Sequence, residues 1–228
     1  MPNQGVFMNK ESIVTFLGDS ITLGYALPDR ADRFPTVLAA RLGFTEDNQG
    51  ITGTLVARAG LNNDNPLSYI DRIGLIRDAD FAVIFGGTND YFWSDKPIDP
   101  PEGKEDDVSC FSVAVDMICR YITENRKPGT TLLVTPYRHF GHGNFWGGKA
   151  FNDANDHPTD TVNYNGHTLA DYAEKTVEIA AEYGIPVADL YHTDGFDYRT
   201  MTIDGCHPNP AGHLWLADKI GERLKKLF

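Results

Sequence analysis

The stretch that most constrains this chain is Ser12-Ile-Val-Thr-Phe-Leu-Gly-Asp-Ser20. Ile13 to Leu17 are apolar or β-branched, and Gly18-Asp19-Ser20 stops the run abruptly. A short apolar run ended by glycine predicts a strand buried on both faces, as in a parallel sheet. Open α/β sheets bind their ligands at the carboxyl ends of such strands. Ser20, delivered there on a tight turn, is therefore a candidate nucleophile. Gly-Asp-Ser also occurs in ordinary turns and helix N-caps, so the stretch needs support from elsewhere in the chain.

The rest of the chain repeats the pattern. Helices are predicted over Arg33–Leu42, Tyr69–Arg77, Val108–Asn125, Thr168–Tyr183 and Pro210–Leu227 from their apolar spacing and end signals. Strands are predicted at Asp47–Ile51, Asp80–Phe85, Thr131–Thr135 and Ile185–Asp189. Residues 55–66 are ambiguous, and Trp93–Asp107, rich in proline and acid, reads as a surface loop. Strands alternating with helices predict an α/β fold, one three-layer α/β/α domain spanning residues 1–228 with a five-stranded parallel sheet. The flavodoxin-like strand order 2-1-3-4-5 follows by analogy with other doubly wound sheets. Tyr137–Gly166 is a long segment after the fourth strand, read as a loop on the active edge of the sheet.

Bulk properties narrow the partners. Twenty basic residues against 32 acidic ones give a net charge of −12, which disfavours nucleic acid as a partner. No apolar run is long enough for a transmembrane helix, and residues 1–10 lack the apolar core of a signal peptide. Cys110, Cys119 and Cys206 have neither metal-binding spacing nor disulfide density. A cytoplasmic protein without a membrane partner is expected. His139, His142 and His157, with Asp153 and Asp156 nearby, match no zinc spacing, so neither a metal nor another cofactor is expected.

The loops that follow the strands carry the chemistry. The first strand runs into Ser20, the second into Gly50-Ile-Thr-Gly53-Thr, and the third into Gly87-Thr-Asn89-Asp90. Ile203-Asp204-Gly-Cys-His207 precedes the last helix. In a parallel sheet these ends share one edge. Acyl transfer needs a hydroxyl nucleophile, a base, a group that orients the base, and oxyanion donors. Ser20, His207, Asp204, and Gly53 with Asn89 supply one of each. Asp204 and His207 are spaced so that the carboxylate can meet imidazole Nδ1 and leave Nε2 for Ser20.

With those blocks in order, the chain resembles the SGNH (GDSL) hydrolases over essentially its whole length. The resemblance rests on Gly18-Asp19-Ser20, Asn48-Gln-Gly50-Ile-Thr-Gly53-Thr, Gly87-Thr-Asn89-Asp90 and Asp204-Gly-Cys-His207. It implies Ser20 as nucleophile, Asp204 and His207 as its triad partners, and the Ser20 amide, Gly53 and Asn89 as oxyanion donors. Thr52 stands where a serine is more usual. Gly60 is a rival for Gly53, but the flanking pattern favours Gly53. The implied activity is hydrolysis of small-molecule acyl esters or thioesters, often without a metal.

Other residues have plainer readings. Asp19 reads as a turn or N-cap residue, Asp90 as a brace for the loop around Asn89, and Cys206 and His213 as packing residues. Arg72 reads either as a pocket-rim residue or as part of a solvated helix face. Trp146, Tyr137 and Arg138 are candidate substrate-binding residues, since aromatic faces mixed with hydrogen-bond donors suit a sugar ring. A short acyl group such as acetyl on a carbohydrate is the expected substrate. The alternatives are a thioesterase, a lysophospholipase, and a non-catalytic binding protein on the same sheet.

Overall fold

The structure, a computed structural model, describes residues 8–58, 67–139 and 162–227. Five strands form one sheet in the order β2-β1-β3-β4-β5: β1 (Ile13–Gly18), β2 (Thr45–Gly50), β3 (Phe81–Phe85), β4 (Thr131–Val134) and β5 (Val187–Ala188). Every pairing is parallel. Register aligns the carboxyl ends: Gly18 pairs with Gly50 and Phe85, Phe85 with Val134, and Val134 with Ala188. The loops after these residues therefore leave the sheet along one edge.

Side chains alternate across a strand, so each central strand feeds two cores. Val14, Phe16, Val83, Phe85, Leu132 and Val134 pack on one face with α2 (Phe34–Leu42) and the last helix, α8 (Pro210–Leu224). Leu17, Ala82, Ile84 and Leu133 pack on the other with α3 (Tyr69–Arg72), α4 (Thr88–Trp93), α5 (Phe111–Asn125) and α6 (Leu169–Glu182). The expected sheet covered by helices on both faces is present, in the expected strand order. Among the described residues no helix is long and apolar enough to cross a membrane.

The edge strands depart from the sequence expectation for physical reasons. β2 begins earlier than Asp47 because Thr45 N–H donates to Ser12 O at 2.8 Å and starts the ladder with β1. It is polar along its length, as suits an exposed edge. Its carboxylates have partners: Asp47 accepts from Thr15 Oγ1, and Glu46 accepts from Thr36 Oγ1 and pairs with Arg33. β5 is only two residues long. Pro186 has no N–H to give the ladder and contributes only its carbonyl, to Leu133 N–H at 3.0 Å. Asp189 then turns away to bond His192 at 2.8 Å.

Short helices were the least visible elements. Ser20–Leu23 forms one turn, α1, and Tyr198–Met201 forms another, α7, where no helix is predicted. The helix expected over Tyr69–Arg77 is α-helical only to Arg72 and tightens to a 3₁₀ turn over Ile73–Ile76. The segment expected to be loop from Trp93 begins with the last residue of α4.

Candidate active site

β1 delivers Ser20 through a turn that only glycine at position 18 permits. A Cβ on Gly18 would lie 2.0 Å from Thr22 Oγ1, within the first turn of α1. Asp19 caps that turn, its Oδ1 accepting from Ile21 N–H at 2.8 Å, so the expected capping role is met. Ser20, at the first helical position, is largely buried.

Opposite it stands the loop before α8. Ile203 N–H donates to His207 O at 2.8 Å, Gly205 N–H donates to Thr202 Oγ1 at 2.8 Å, and Thr202 bridges to Pro208. Within this tight loop Asp204 Oδ1 accepts from the backbone N–H groups of Cys206 and His207. Its Oδ2 lies 2.6 Å from His207 Nδ1, and His207 Nε2 lies 3.0 Å from Ser20 Oγ. Ser20, His207 and Asp204 thus form one continuous hydrogen-bonded line. Burial disfavours the charged form of Asp204. The bonds from the His207 ring and backbone and the nearby imidazole charge outweigh it, holding the carboxyl at about 2. Asp204 is therefore ionised at neutral pH and fixes which imidazole nitrogen faces it.

Asn89 sits in the first turn of α4, after Gly87 in the left-handed region. Its Nδ2 donates to Thr54 O at 3.0 Å and, at 3.3 Å, to Asp19 Oδ2. Asn89 is thereby tied to the residue preceding Ser20 and to the residue following Gly53. Gly53 has φ +75°, and nothing lies within 4 Å of where its Cβ would be. Its loop is fixed to β1, because Ile51 N–H donates to Gly18 O at 3.1 Å and Thr54 Oγ1 donates to Ile51 O at 2.9 Å. Gly60 and Trp146 lie outside the described residues, as do His142, Asp153, Asp156 and His157. Among the described residues no group of three or more His, Cys, Asp or Glu side chains could hold a metal ion.

Beneath the site lies a layer of buried polar groups. Asp90 accepts from Val56 N–H at 2.8 Å and Ala57 N–H at 3.0 Å, so it fixes the chain just beyond Gly53 rather than the loop around Asn89 that the sequence suggested. Burial pushes the Asp90 carboxyl up to about 7, against those two bonds. Burial likewise raises Asp19 to about 6, opposed by the Ile21 N–H and by the charges of His207 and Arg72.

Arg72 corrects both sequence readings, since it is neither a rim residue nor solvated. It is buried and donates to Gln49 O at 2.6 Å, Gly18 O at 3.1 Å and Thr54 Oγ1 at 3.0 Å. It therefore ties the ends of β1 and β2 to the Gly53 loop. The signal was present in the sequence, because Tyr69, Arg72 and Ile76 share one helical stripe and put a charge on the apolar face. Tyr69 is also buried there, its hydroxyl donating to Phe85 O at 2.7 Å.

The remaining candidates separate. Tyr137 has no exposed surface to offer a substrate. Its ring packs 4.3 Å from that of Phe196, and its hydroxyl donates to Cys206 O, bracing the His207 loop. Arg138 is exposed, with its guanidinium 5.5 Å from the Tyr191 ring centre. Cys206 is buried, and burial raises its thiol well above the usual range. His213 is fully buried against Phe34, and its Nδ1 accepts from Phe34 N–H. Burial lowers it to about 4, so it packs as a neutral ring.

Comparison with known proteins finds the same fold. A protein from Lactobacillus plantarum of known structure is 26% identical, with a TM-score of 0.75 over 97% of this chain and 99% of its own. A possible lipase from Chitinophaga pinensis is 21% identical, with a TM-score of 0.62 over 95% of this chain and 99% of that one. A carbohydrate acetylesterase family member from Sinorhizobium meliloti shares the fold at 18% identity, with a TM-score of 0.62 over 95% and 98%. Among curated proteins no relative matches. The sequence model of the GDSL-like lipase/acylhydrolase family matches residues 16–215, and the chain belongs to that family.

Proposed function

We propose that the protein is a serine esterase that removes short acyl groups, acetyl foremost, from a carbohydrate alcohol. One observation carries the reaction type: the line from Ser20 Oγ through His207 to Asp204, with contacts of 3.0 and 2.6 Å, beside Asn89 on the carboxyl edge of the sheet. Ser20 Oγ attacks the ester carbonyl as His207 Nε2 takes its proton. Asp204 stabilises the resulting imidazolium. The oxyanion is held by the Ser20 and Gly53 amides and by Asn89 Nδ2. The Asn89 contact with Asp19, the longer of its two at 3.3 Å, is the one an oxyanion replaces. Collapse breaks the C–O bond, and His207 returns the proton to the departing alcohol. Water then clears the acyl-enzyme by the same steps.

The acyl and alcohol preferences rest on the composition of 137–166. This segment carries Phe140, Phe145, Trp146, Phe151 and Tyr164 beside Arg138, Asn144 and Asn152, and few aliphatic residues. Aromatic faces with amide and guanidinium donors suit a sugar. The acetylesterase family member that shares the fold is consistent with this. Hydrolysis of a p-nitrophenyl series from acetyl to palmitoyl, beside acetylated sugars, tests the reading. Acetyl should be cut fastest, and Trp146→Ala should raise KM for the acetylated sugar more than for p-nitrophenyl acetate. A best rate on octanoyl or longer esters would reject it.

A further inference from the structure

Tyr25 is a large aromatic residue that neither core uses. Its side chain is 47% exposed, and its ring centre lies 4.7 Å from that of His207, tilted by 47°. Its backbone is held firmly: Tyr25 N–H donates to Ser20 O at 2.9 Å, directly after the nucleophile turn. Gly24 before it is left-handed at φ +77°, and a Cβ there would meet Arg33 Cβ at 2.9 Å. Ala26 after it has φ +60°, the only positive φ at a non-glycine among the described residues. An alanine adopts that conformation only at a cost, so the surrounding structure imposes the direction of this turn.

The chemistry says what this ring faces. To protonate the leaving oxygen, His207 Nε2 must come within about 3 Å of it. The alcohol attached to that oxygen must therefore lie near the His207 ring, within reach of the exposed Tyr25 ring, whose centre is 4.7 Å away. We propose that Tyr25 is the platform for the alcohol half of the ester, and that it selects a cyclic alcohol whose C–H face stacks on the phenol ring, a pyranose. This rests on the esterase reading above and adds to it the residue that recognises the leaving group.

Ring packing of this kind is worth about 0.5–1.5 kcal/mol, or roughly two- to tenfold. Wild type, Tyr25→Phe and Tyr25→Ala are compared on an acetylated pyranose and on ethyl acetate. The ratio of the two kcat/KM values should fall by about two- to tenfold in Tyr25→Ala, through KM, and hold in Tyr25→Phe. Equal losses on both esters would mean that Tyr25 only seats His207, and would overturn the proposal. A second measurement needs no turnover: saturation-transfer NMR of methyl glucopyranoside with the Ser20→Ala protein. Sugar ring protons should be enhanced there and lose the enhancement in Ser20→Ala/Tyr25→Ala, and no enhancement in the first would overturn the platform. Fluorophosphonate labelling of wild-type Ser20 separates the two claims. Labelling without sugar contact defeats this inference alone, whereas sugar contact without labelling defeats the esterase reading and, with it, the assignment of the bound sugar as the alcohol half of an ester.

Discussion

Replacing Arg72 with alanine tests how the site is held together. The guanidinium donates to Gln49 O, Gly18 O and Thr54 Oγ1, at 2.6, 3.1 and 3.0 Å, and it is buried. Removing it strips a donor from each acceptor. Gly18 O keeps the Ile51 N–H at 3.1 Å, so the loss falls mainly on Gln49 O and Thr54. A buried acceptor left unsatisfied costs about 1–3 kcal/mol, and a hydrogen bond from a charged donor is worth about 1.5–3 kcal/mol. The buried stem adds packing, so the total should be roughly 3–5 kcal/mol. For a chain of this size each kcal/mol moves Tm by roughly 2–4 °C, giving a drop of about 6–20 °C in a calorimetric or circular-dichroism melt. Because the same contacts fix the turn before Ser20 and the Gly53 loop, kcat should fall more than KM rises. Arg72→Lys, with one ammonium in place of a planar fork, should recover only part of either loss. A Tm within 2 °C of wild type, with kcat intact in Arg72→Ala, would refute the reasoning.

Further expectations concern the groups that touch the reaction and the buried carboxyls beneath them. Asn89→Ala removes one proposed oxyanion donor and should lower kcat by about 10²–10³. Asp204→Asn should lower kcat by on the order of 10⁴ by favouring the wrong imidazole tautomer, with little change in KM or in the melt. Gly53→Ala should cost more activity than Gly60→Ala, because only a left-handed residue keeps the φ of +75° seen at Gly53. Asp90 has a carboxyl raised from 3.8 to about 7 in the fold, so the folded state holds the proton that the unfolded chain gives up. Its contribution to stability is full below about pH 4 and is lost as pH rises towards 7, and urea midpoints in Asp90→Asn should show a shallower fall across that window.

The central sheet was legible because β1 and β3 are buried on both faces over nearly all their length and carry mostly apolar or β-branched residues. The edge strands were harder. β2 is polar because it faces solvent along one side, and Pro186 shortens β5 to two residues in a way its apolar composition conceals. Ser20, Asn89, Asp204 and His207 stood out because each follows a strand or precedes a helix in a chemically meaningful order. Arg72 did not, because a lone arginine on a short helix looks solvated until its stripe with Tyr69 and Ile76 is set against the sheet. Tyr137 was misleading in the opposite sense: aromatic and at a strand end, it is spent on holding Cys206 O. Tyr25 carries no signal of its own in the sequence, since its nearness to His207 joins two ends of the chain.

Ser20 is the proposed nucleophile, activated through His207. Reaction with a fluorophosphonate, followed by peptide mapping, tests this role most directly, because the reagent bonds covalently to an activated serine hydroxyl. A single adduct on Ser20 is expected, forming far more slowly in His207→Ala and not at all in Ser20→Ala. An adduct on another serine, or labelling of Ser20 that is indifferent to the loss of His207, would contradict it.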